Sequence, residues 1–208
     1  MHCLNFFVVV AAFTLIVAGI LPTTAIAASE SQSSIEQTFQ KAKQNYLDKN
    51  MDLAAQQIQK SASYMKAEAA KASDKGKEAL NKSANELEKL ADDVKKGTVT
   101  SVKRMEETFA RAYVALAADS HIKSTESWAK KESAKAGDAL DSANKYLKRS
   151  FAWAGQKIET KTKEAMKKSE ELSLKLKKKG SVVAEDVGKR LKDAGNEIEK
   201  FGKRISPK

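Results

Sequence analysis

The sequence is poor in the residues that usually cross-link or interrupt a chain, with one cysteine, Cys3, and two prolines, Pro22 and Pro207, among 208 residues. Cys3 lies in an N-terminal apolar segment, so a chain that loses this segment has no cysteine. Disulfides, thiolate catalysis and cysteine-based zinc sites are then excluded together. Without proline between Pro22 and Pro207, and without β-branched runs outside the N-terminal segment, we expect helices and no strands.

The N-terminal segment has the pattern of a signal peptide. The first 27 residues carry no Asp, Glu, Lys or Arg, and an apolar run extends from Phe6 to Leu21. After Pro22, Ala25-Ile26-Ala27 provides the small-x-small ending that signal peptidase reads. An uncleaved membrane anchor is the alternative, but the run is shorter than the roughly 20 apolar residues that a bilayer requires. We predict that residues 1–27 are a signal peptide cleaved after Ala27, and that the protein is extracytoplasmic, either periplasmic or secreted.

Good helix formers, mainly Ala, Lys, Glu, Ser and Leu, dominate the remainder. From Leu53 to Val94 the apolar positions recur mostly every three or four residues, with Gly76 in one slot, which predicts a single helix of about 44 residues. Gly97 then occupies the position of a C-terminal helix cap. A third helix begins at Thr100 or Ser101, and its apolar stripe thins between Asp119 and Ser127 before it recovers.

These helices predict an all-α fold. The first helix opens at Ser34 and ends at the turn Asp48-Lys49-Asn50. If the second and third helices fold back at Gly97, residues that lie opposite each other in the antiparallel pair have numbers that sum to about 196. The first helix then packs near residues 52–67 and 129–144. We therefore predict a long antiparallel helical hairpin or three-helix bundle over residues 28–145. A basic amphipathic helical region follows over residues 146–208.

The C-terminal helix has the most regular pattern. Gly188, Gly195 and Gly202 follow one column of its heptad repeat at a spacing of seven. Each glycine costs a helix interior about 1 kcal/mol relative to alanine. We interpret the three as a close packing groove for another helix, either the preceding one or that of a partner, which allows a homo-oligomer. A loose, partly frayed tail is the alternative.

Positive charge is concentrated in one segment. The chain carries a net charge of +11, and residues 145–179 alone hold 12 basic and 4 acidic residues. This segment is interpreted as a solvated face, as a contact for an anionic surface such as phospholipid head groups, or as a nucleic-acid contact, which export and the scarcity of arginine disfavour. Trp153 lies off the apolar stripe and is a further candidate for contact with a membrane interface or a partner. The candidate surface residues are Lys145, Lys148, Arg149, Trp153, Lys157, Lys161, Lys163, Lys167, Lys168, Lys175, Lys177, Lys178 and Lys179.

Residue patterns typical of catalysis or metal binding are missing. Outside the N-terminal segment the sequence has one histidine, His121, in Asp119-Ser120-His121. Three adjacent residues of one helix point to different faces and cannot form a catalytic triad. We expect His121 to be solvated or weakly hydrogen-bonded, and we predict no catalytic residue, no metal ligand and no cofactor.

One segment resembles a known family. The stretch Phe39-Gln-Lys-Ala-Lys-Gln-Asn-Tyr-Leu-Asp-Lys-Asn-Met-Asp-Leu-Ala-Ala, continuing to Ile58, is similar to helix-turn-helix units of bacterial exported proteins, among them the YfdX family, and to TPR-like hairpins. The Lys/Ala/Glu-rich remainder is similar in texture to apolipoprotein-like and desiccation-protectant helices. This second, compositional resemblance implies a surface or protective role.

Together these features predict a non-enzymatic, extracytoplasmic helical protein that binds a protein partner or an anionic envelope surface, and that does not bind nucleic acid. The alternative is a stress-protective, holdase-like protein whose amphipathic helices cover apolar surfaces of clients. An enzyme or a metal carrier is the remaining class.

Overall fold

The computed structural model describes the backbone of residues 24–178 and 182–206, and the side chains of residues 35–178 and 182–206. Within these ranges the chain forms seven helices and no strand, which confirms the predicted all-α class. The predicted signal peptide lies outside the described residues up to position 23, and the predicted cleavage site at Ala27 falls near the start of the first helix. The helices are α1 (Thr24–Leu47), α2 (Met51–Ala69), α3 (Asp74–Lys95), α4 (Val102–Ala129), α5 (Ser133–Trp153), α6 (Thr160–Lys177) and α7 (Ala184–Ile205).

The predicted start of α1 at Ser34 is wrong, because the helix already begins at Thr24. Residues 24–33 contain neither glycine nor proline, so nothing in this stretch stops the helix from extending toward the N-terminus. The turn that follows α1 is confirmed. Lys49 takes a φ of 62°, in the left-handed region, and the chain reverses between α1 and α2.

The single helix predicted from Leu53 to Val94 is wrong, because residues 70–73 separate α2 from α3. Ser73 takes an extended conformation before the first turn of α3, and the two helices then pack against each other. Folding back in this way buries the two halves of the apolar stripe against each other, which a continuous rod cannot do. Gly76, the irregular slot in the stripe, is buried where α3 meets Asp119 of α4.

The third helix is also interrupted, at Lys131, whose φ is 61°. The interruption follows the thin part of the predicted stripe, and α4 and α5 form a closely packed pair there. Two buried serines join them: Ser124 donates to the carbonyl of Ala136 at 2.8 Å, and Ser150 donates to the carbonyl of Ala110 at 2.7 Å. Small residues let these two backbones approach, so the thin stripe is a helix–helix contact and not a weak point in a rod.

The turn between α3 and α4 is confirmed. Gly97 has a φ of 68° after the last residues of α3, and Ser101 caps α4 by accepting a hydrogen bond from the backbone N–H of Lys103 at 3.1 Å. Arg111 pairs with Glu86 at 2.7 Å. The numbers of this pair sum to 197, in agreement with the predicted register near 196.

Helix α4 lies at the centre of the bundle and contacts α1, α3, α5 and α7. Phe39 of α1 stacks on Phe109 of α4 with ring centroids 4.1 Å apart, and the edges of Tyr113 and Trp153 close the cluster. The prediction that α1 packs near residues 129–144 is therefore wrong. Phe39 of α1 instead packs against Phe109 and Tyr113 in the first half of α4 and against Trp153 at the end of α5.

Helix α7 returns to pack on α4 and α6. Its Phe201 stacks on Phe151 of α5 with ring centroids 3.7 Å apart. A second, smaller apolar cluster joins α5, α6 and α7, and the predicted domain boundary between residues 145 and 146 falls inside α5. The members of this second cluster are Ala136, Leu140, Leu172, Leu176, Val187, Leu191 and Ala194.

Candidate functional site

The basic segment of the sequence covers the end of α5 and all of α6. One side of α6 is buried, at positions spaced by one, three or four residues. Half of these buried residues are serine or threonine, so the apolar contact that holds α6 is narrow. Because buried positions of a helix share one face, the charged residues between them are turned to the solvent. The buried residues are Thr162, Met166, Ser169, Leu172, Ser173 and Leu176.

Four of the predicted surface cations form ion pairs with carboxylates of the protein. Lys145 pairs with a neighbouring carboxylate of its own helix at 3.1 Å, and Lys177 of α6 reaches the same carboxylate, Asp141, at 2.7 Å. Lys148 pairs with a glutamate of α6. Arg149 pairs with a glutamate of α1 at 2.7 Å. These cations join helices, and their charge is largely compensated.

The other lysines of the segment form a continuous basic surface, which we call the lysine face. They are exposed and make no ion pair within the described part of the chain. Glu164 and Glu171 lie among them, and Glu171 is 4.0 Å from Arg190 of α7. With seven lysines and two glutamates the surface has a net charge of +5, and Lys179 lies outside the described residues. The lysine face consists of Lys157, Lys161, Lys163, Lys167, Lys168, Lys175 and Lys178.

An exposed apolar residue lies within the lysine face. Leu174 is 55% exposed, although it belongs to a helix whose other leucines are buried. It lies one turn before Lys178 and two turns after Lys167, so it points from the same side of α6. The surface therefore combines positive charge with an apolar side chain.

The prediction that Trp153 meets a membrane or a partner is wrong, because this side chain is only 7% exposed. Its ring packs edge-on against Phe109 with centroids 5.2 Å apart, and its indole N–H donates to Glu36 at 3.3 Å. Trp153 is off the stripe that faces one neighbour, but it lies on the side of α5 that faces α1 and α4. A helix inside a bundle buries more than one stripe.

A partly buried polar network around Glu36 was not predicted. One carboxylate oxygen of Glu36 accepts hydrogen bonds from the hydroxyl of Tyr113 at 2.6 Å, the indole of Trp153, and the guanidinium of Arg149 at 2.7 Å. Burial alone would raise the pKa of Glu36, but these hydrogen bonds and one from Gln40 outweigh it and hold the pKa below its usual range. Burial and the nearby carboxylate together raise the pKa of Tyr113. The network fastens α1 to α4 and α5.

The expectation of a solvated His121 is also wrong. The ring is largely buried between α4 and α7, and its Nε2 lies 2.7 Å from the carbonyl oxygen of Leu191. Burial lowers the pKa of His121, so the neutral ring that donates from Nε2 is favoured. The ring lies directly against Gly195, where an added Cβ would be 2.7 Å from the ring carbon Cε1.

The three glycines of α7 have different surroundings. Gly195 faces His121, and a Cβ added to Gly202 would lie 3.1 Å from a methyl group of Val114. Both contacts are with α4, so these two glycines lie at a close approach of α7 to α4. Gly188 faces open space, with nothing within 4 Å of an added Cβ.

Among the described residues there is no group of three or more His, Cys, Asp or Glu side chains able to hold a metal ion. Within the same residues no helix combines the length and the apolar character that crossing a membrane requires. No protein-family model, no curated protein and no solved structure matches the chain. The resemblance to the YfdX family stays a prediction from the sequence.

Proposed function

We propose that this chain is a non-enzymatic, exported helical protein that binds an anionic surface of the cell envelope through the lysine face. The supporting observation is the contrast within one basic segment. Four of its cations pair with carboxylates of the fold, whereas seven lysines project from one side without an ion pair in the described residues. Lysines held side by side repel one another, and an anionic surface relieves this repulsion.

The size of the effect follows from the charge. Each lysine near an anionic membrane surface contributes about 1 kcal/mol, so a net charge of +5 gives at most about 5 kcal/mol, or roughly a thousandfold to ten-thousandfold in affinity. The attraction extends over about 8 Å at physiological ionic strength and about 30 Å at 0.01 M salt. Binding through the lysine face should therefore be strong at low salt and weaken steeply as salt is added.

The holdase alternative receives less support. Among the described residues the large apolar side chains with substantial exposure are Leu47, Leu53, Leu174 and Val183. The other large apolar side chains that the structure describes are wholly or largely covered by neighbouring helices, so this part of the folded protein offers a client little apolar surface. Client protection would require opening the bundle. It would also be insensitive to salt, unlike the proposed electrostatic contact.

The test is co-sedimentation with vesicles that contain a tenth to a half anionic lipid, across a salt series from low to physiological salt. The lysine-face variant replaces four lysines of α6 with glutamine, and the control variant makes the same change at four exposed lysines of α2, α3 and α7 that form no ion pair in the described residues. Both variants lose four positive charges. The lysine-face variant is Lys161→Gln, Lys163→Gln, Lys167→Gln and Lys168→Gln, and the control variant is Lys60→Gln, Lys77→Gln, Lys82→Gln and Lys192→Gln.

We expect the wild type to sediment with anionic but not with neutral vesicles at low salt. The lysine-face variant should lose most of this binding, and the control variant should keep most of it. Equal losses in the two variants would show that only the net charge matters and would refute a localised site. Absence of binding at low salt would refute the proposed partner. Since these surface changes should alter stability by no more than about 0.5 kcal/mol each, thermal melts confirm that both variants are folded.

A further inference from the structure

A cavity of about 530 Å³ opens between α3, α4, the C-terminal end of α7 and the segment that follows α5. Three of the five arginines of the chain line it: Arg104, Arg111 and Arg204. Lys89 of α3 adds a fourth cation, and the lining contains only two glutamates. The lining residues alone therefore have an excess of two positive charges, which Asp93 and Glu159 offset from outside the lining by pairing with Arg104 and Arg204. The cavity shares no residue with the lysine face.

Arg111 has a structural role in this cavity. Its Nε donates to Glu86 at 2.7 Å, and its two terminal nitrogens donate to the hydroxyl of Thr108 at 3.0 Å and to the carbonyl of Ile205 at 3.5 Å. All three nitrogens are thus engaged, and they fasten the end of α7 to α3 and α4. Arg111 lines the cavity, but these contacts leave it little capacity for a ligand.

Arg104 and Arg204 are held in place but not saturated. Each makes an ion pair through one terminal nitrogen, Arg104 with Asp93 and Arg204 with Glu159. A guanidinium has five N–H donors, and these side chains are still 46% and 33% exposed. The guanidinium of Arg204 also lies 5.0 Å from the centre of the Phe201 ring, which restricts its orientation.

Lys89 completes the set, because it makes no ion pair in the part of the chain that the structure describes and it reaches the cavity from α3. Three cations with unused donors thus approach one cavity from three different helices. A tetrahedral phosphate offers oxygens in several directions and can contact several cations at once. A planar carboxylate presents its two oxygens along one edge, which suits a single guanidinium. Apolar lining from Leu90 and Ala154 is suited to the organic part of a ligand.

We propose that this cavity binds a small, phosphate-bearing organic molecule, with Arg104, Arg204 and Lys89 as the contacts to phosphate oxygens. The volume lies within the range of about 300–1,000 Å³ that small-molecule sites occupy. The ion pairs of the two arginines hold the donors in position before the ligand arrives, which lowers the entropic cost of binding.

Isothermal titration calorimetry of the purified protein with inorganic pyrophosphate, and separately with citrate, tests the proposal. The cavity variant and a charge-matched variant each lose three positive charges. We expect saturable binding of pyrophosphate that is tighter than that of citrate, weaker by about 100-fold or more in the cavity variant, and little changed in the charge-matched variant. The cavity variant is Lys89→Gln, Arg104→Gln and Arg204→Gln, and the charge-matched variant is Lys60→Gln, Lys82→Gln and Lys192→Gln.

Absence of saturable binding by the wild type, or equal losses in the two variants, would overturn the site. Tighter binding of citrate than of pyrophosphate would overturn the phosphate assignment. If the cavity variant does not fold, the double variant Arg104→Lys and Arg204→Lys keeps the charge but loses the forked geometry. Its affinity should fall about tenfold, and an unchanged affinity would overturn the assigned contacts. The lysine-face variant should bind pyrophosphate as the wild type does, which separates this site from the proposed envelope contact.

Discussion

Replacing Gly195 with alanine should destabilise the protein, although alanine is the better helix former. The new Cβ would lie 2.7 Å from Cε1 of His121, closer than a Cβ normally approaches another atom, and 3.0 Å from Nε2, which is a tight contact. We expect a ring that moves away from the new Cβ to lose its 2.7 Å hydrogen bond to Leu191. Overpacking costs about 1–3 kcal/mol and the lost hydrogen bond about 1 kcal/mol, against a gain in helix propensity of about 1 kcal/mol.

The net expectation for Gly195→Ala is a loss of about 1–3 kcal/mol in the free energy of unfolding. For a chain of this size the melting temperature should fall by about 2–12 °C. Gly188→Ala is the matched control on the same helix, because its added Cβ meets nothing within 4 Å. Only the propensity term acts there, so we expect the melting temperature to rise by about 2–4 °C.

Thermal melts followed by circular dichroism measure both shifts, and a second background isolates the cause. In a His121→Ala protein the ring is gone, so adding Gly195→Ala should be neutral or stabilising there. If Gly195→Ala stabilises the wild type as much as Gly188→Ala does, the close contact between α4 and α7 is refuted. The same conclusion follows if the loss persists without the ring.

Three further predictions concern the polar network around Glu36, the aromatic cluster that contains Trp153, and the predicted signal peptide. Because its folded pKa lies below the usual value of 4.5, Glu36 contributes stability that is complete above about pH 4.5 and is lost as the pH falls through the folded pKa. Glu36→Gln should therefore lower the free energy of unfolding at pH 7 by about 1–3 kcal/mol and flatten its acid dependence in urea titrations, and an unchanged value would contradict the network. In a Trp128→Phe protein the remaining Trp153 should resist acrylamide quenching and keep its emission when anionic vesicles are added, whereas strong quenching would place it at the surface. N-terminal sequencing of the exported protein should begin at Ala28, and a product that retains residues 1–27 would contradict cleavage.

The parts of the fold that were predictable depend on signals local in the sequence. Gly97 has the positive φ that the end of a helix favours, and Ser101 accepts a backbone hydrogen bond from the first turn of the next helix. Both features follow from residues within a few positions of each other. The all-α class follows likewise from composition and periodicity.

The breaks at residues 70–73 and at Lys131 could not be predicted in the same way. No proline or glycine lies at either position, so local propensity favours continuing the helix. The gain comes from contacts made after the chain turns back, such as the hydrogen bond from Ser124 to Ala136. The spacing of apolar residues along one helix does not reveal the stabilisation that these contacts between helices provide.

The candidate surface was predictable in position but not in detail. The high density of lysine along residues 145–179 identifies the basic segment. Seven of its lysines are exposed, as a solvated face requires. The sequence does not distinguish Lys148 and Arg149 from these seven lysines. Their carboxylate partners, Glu170 and Glu36, are 22 and 113 positions away in the sequence. The prediction that Trp153 is exposed failed for a related reason, because the residues that bury it belong to other helices.

The most direct test of the lysine face is site-specific fluorescence with a single cysteine. The predicted mature chain has no cysteine, so Leu174→Cys places one label within the lysine face, and Leu53→Cys places a matched label on α2, which packs mainly against α1 and α3. The two leucines are 55% and 48% exposed, which makes the sites comparable. With anionic vesicles at low salt, the emission of a polarity-sensitive dye at position 174 should shift to the blue, and that at position 53 should not. Equal shifts at both positions, or a shift only at position 53, would contradict binding through α6.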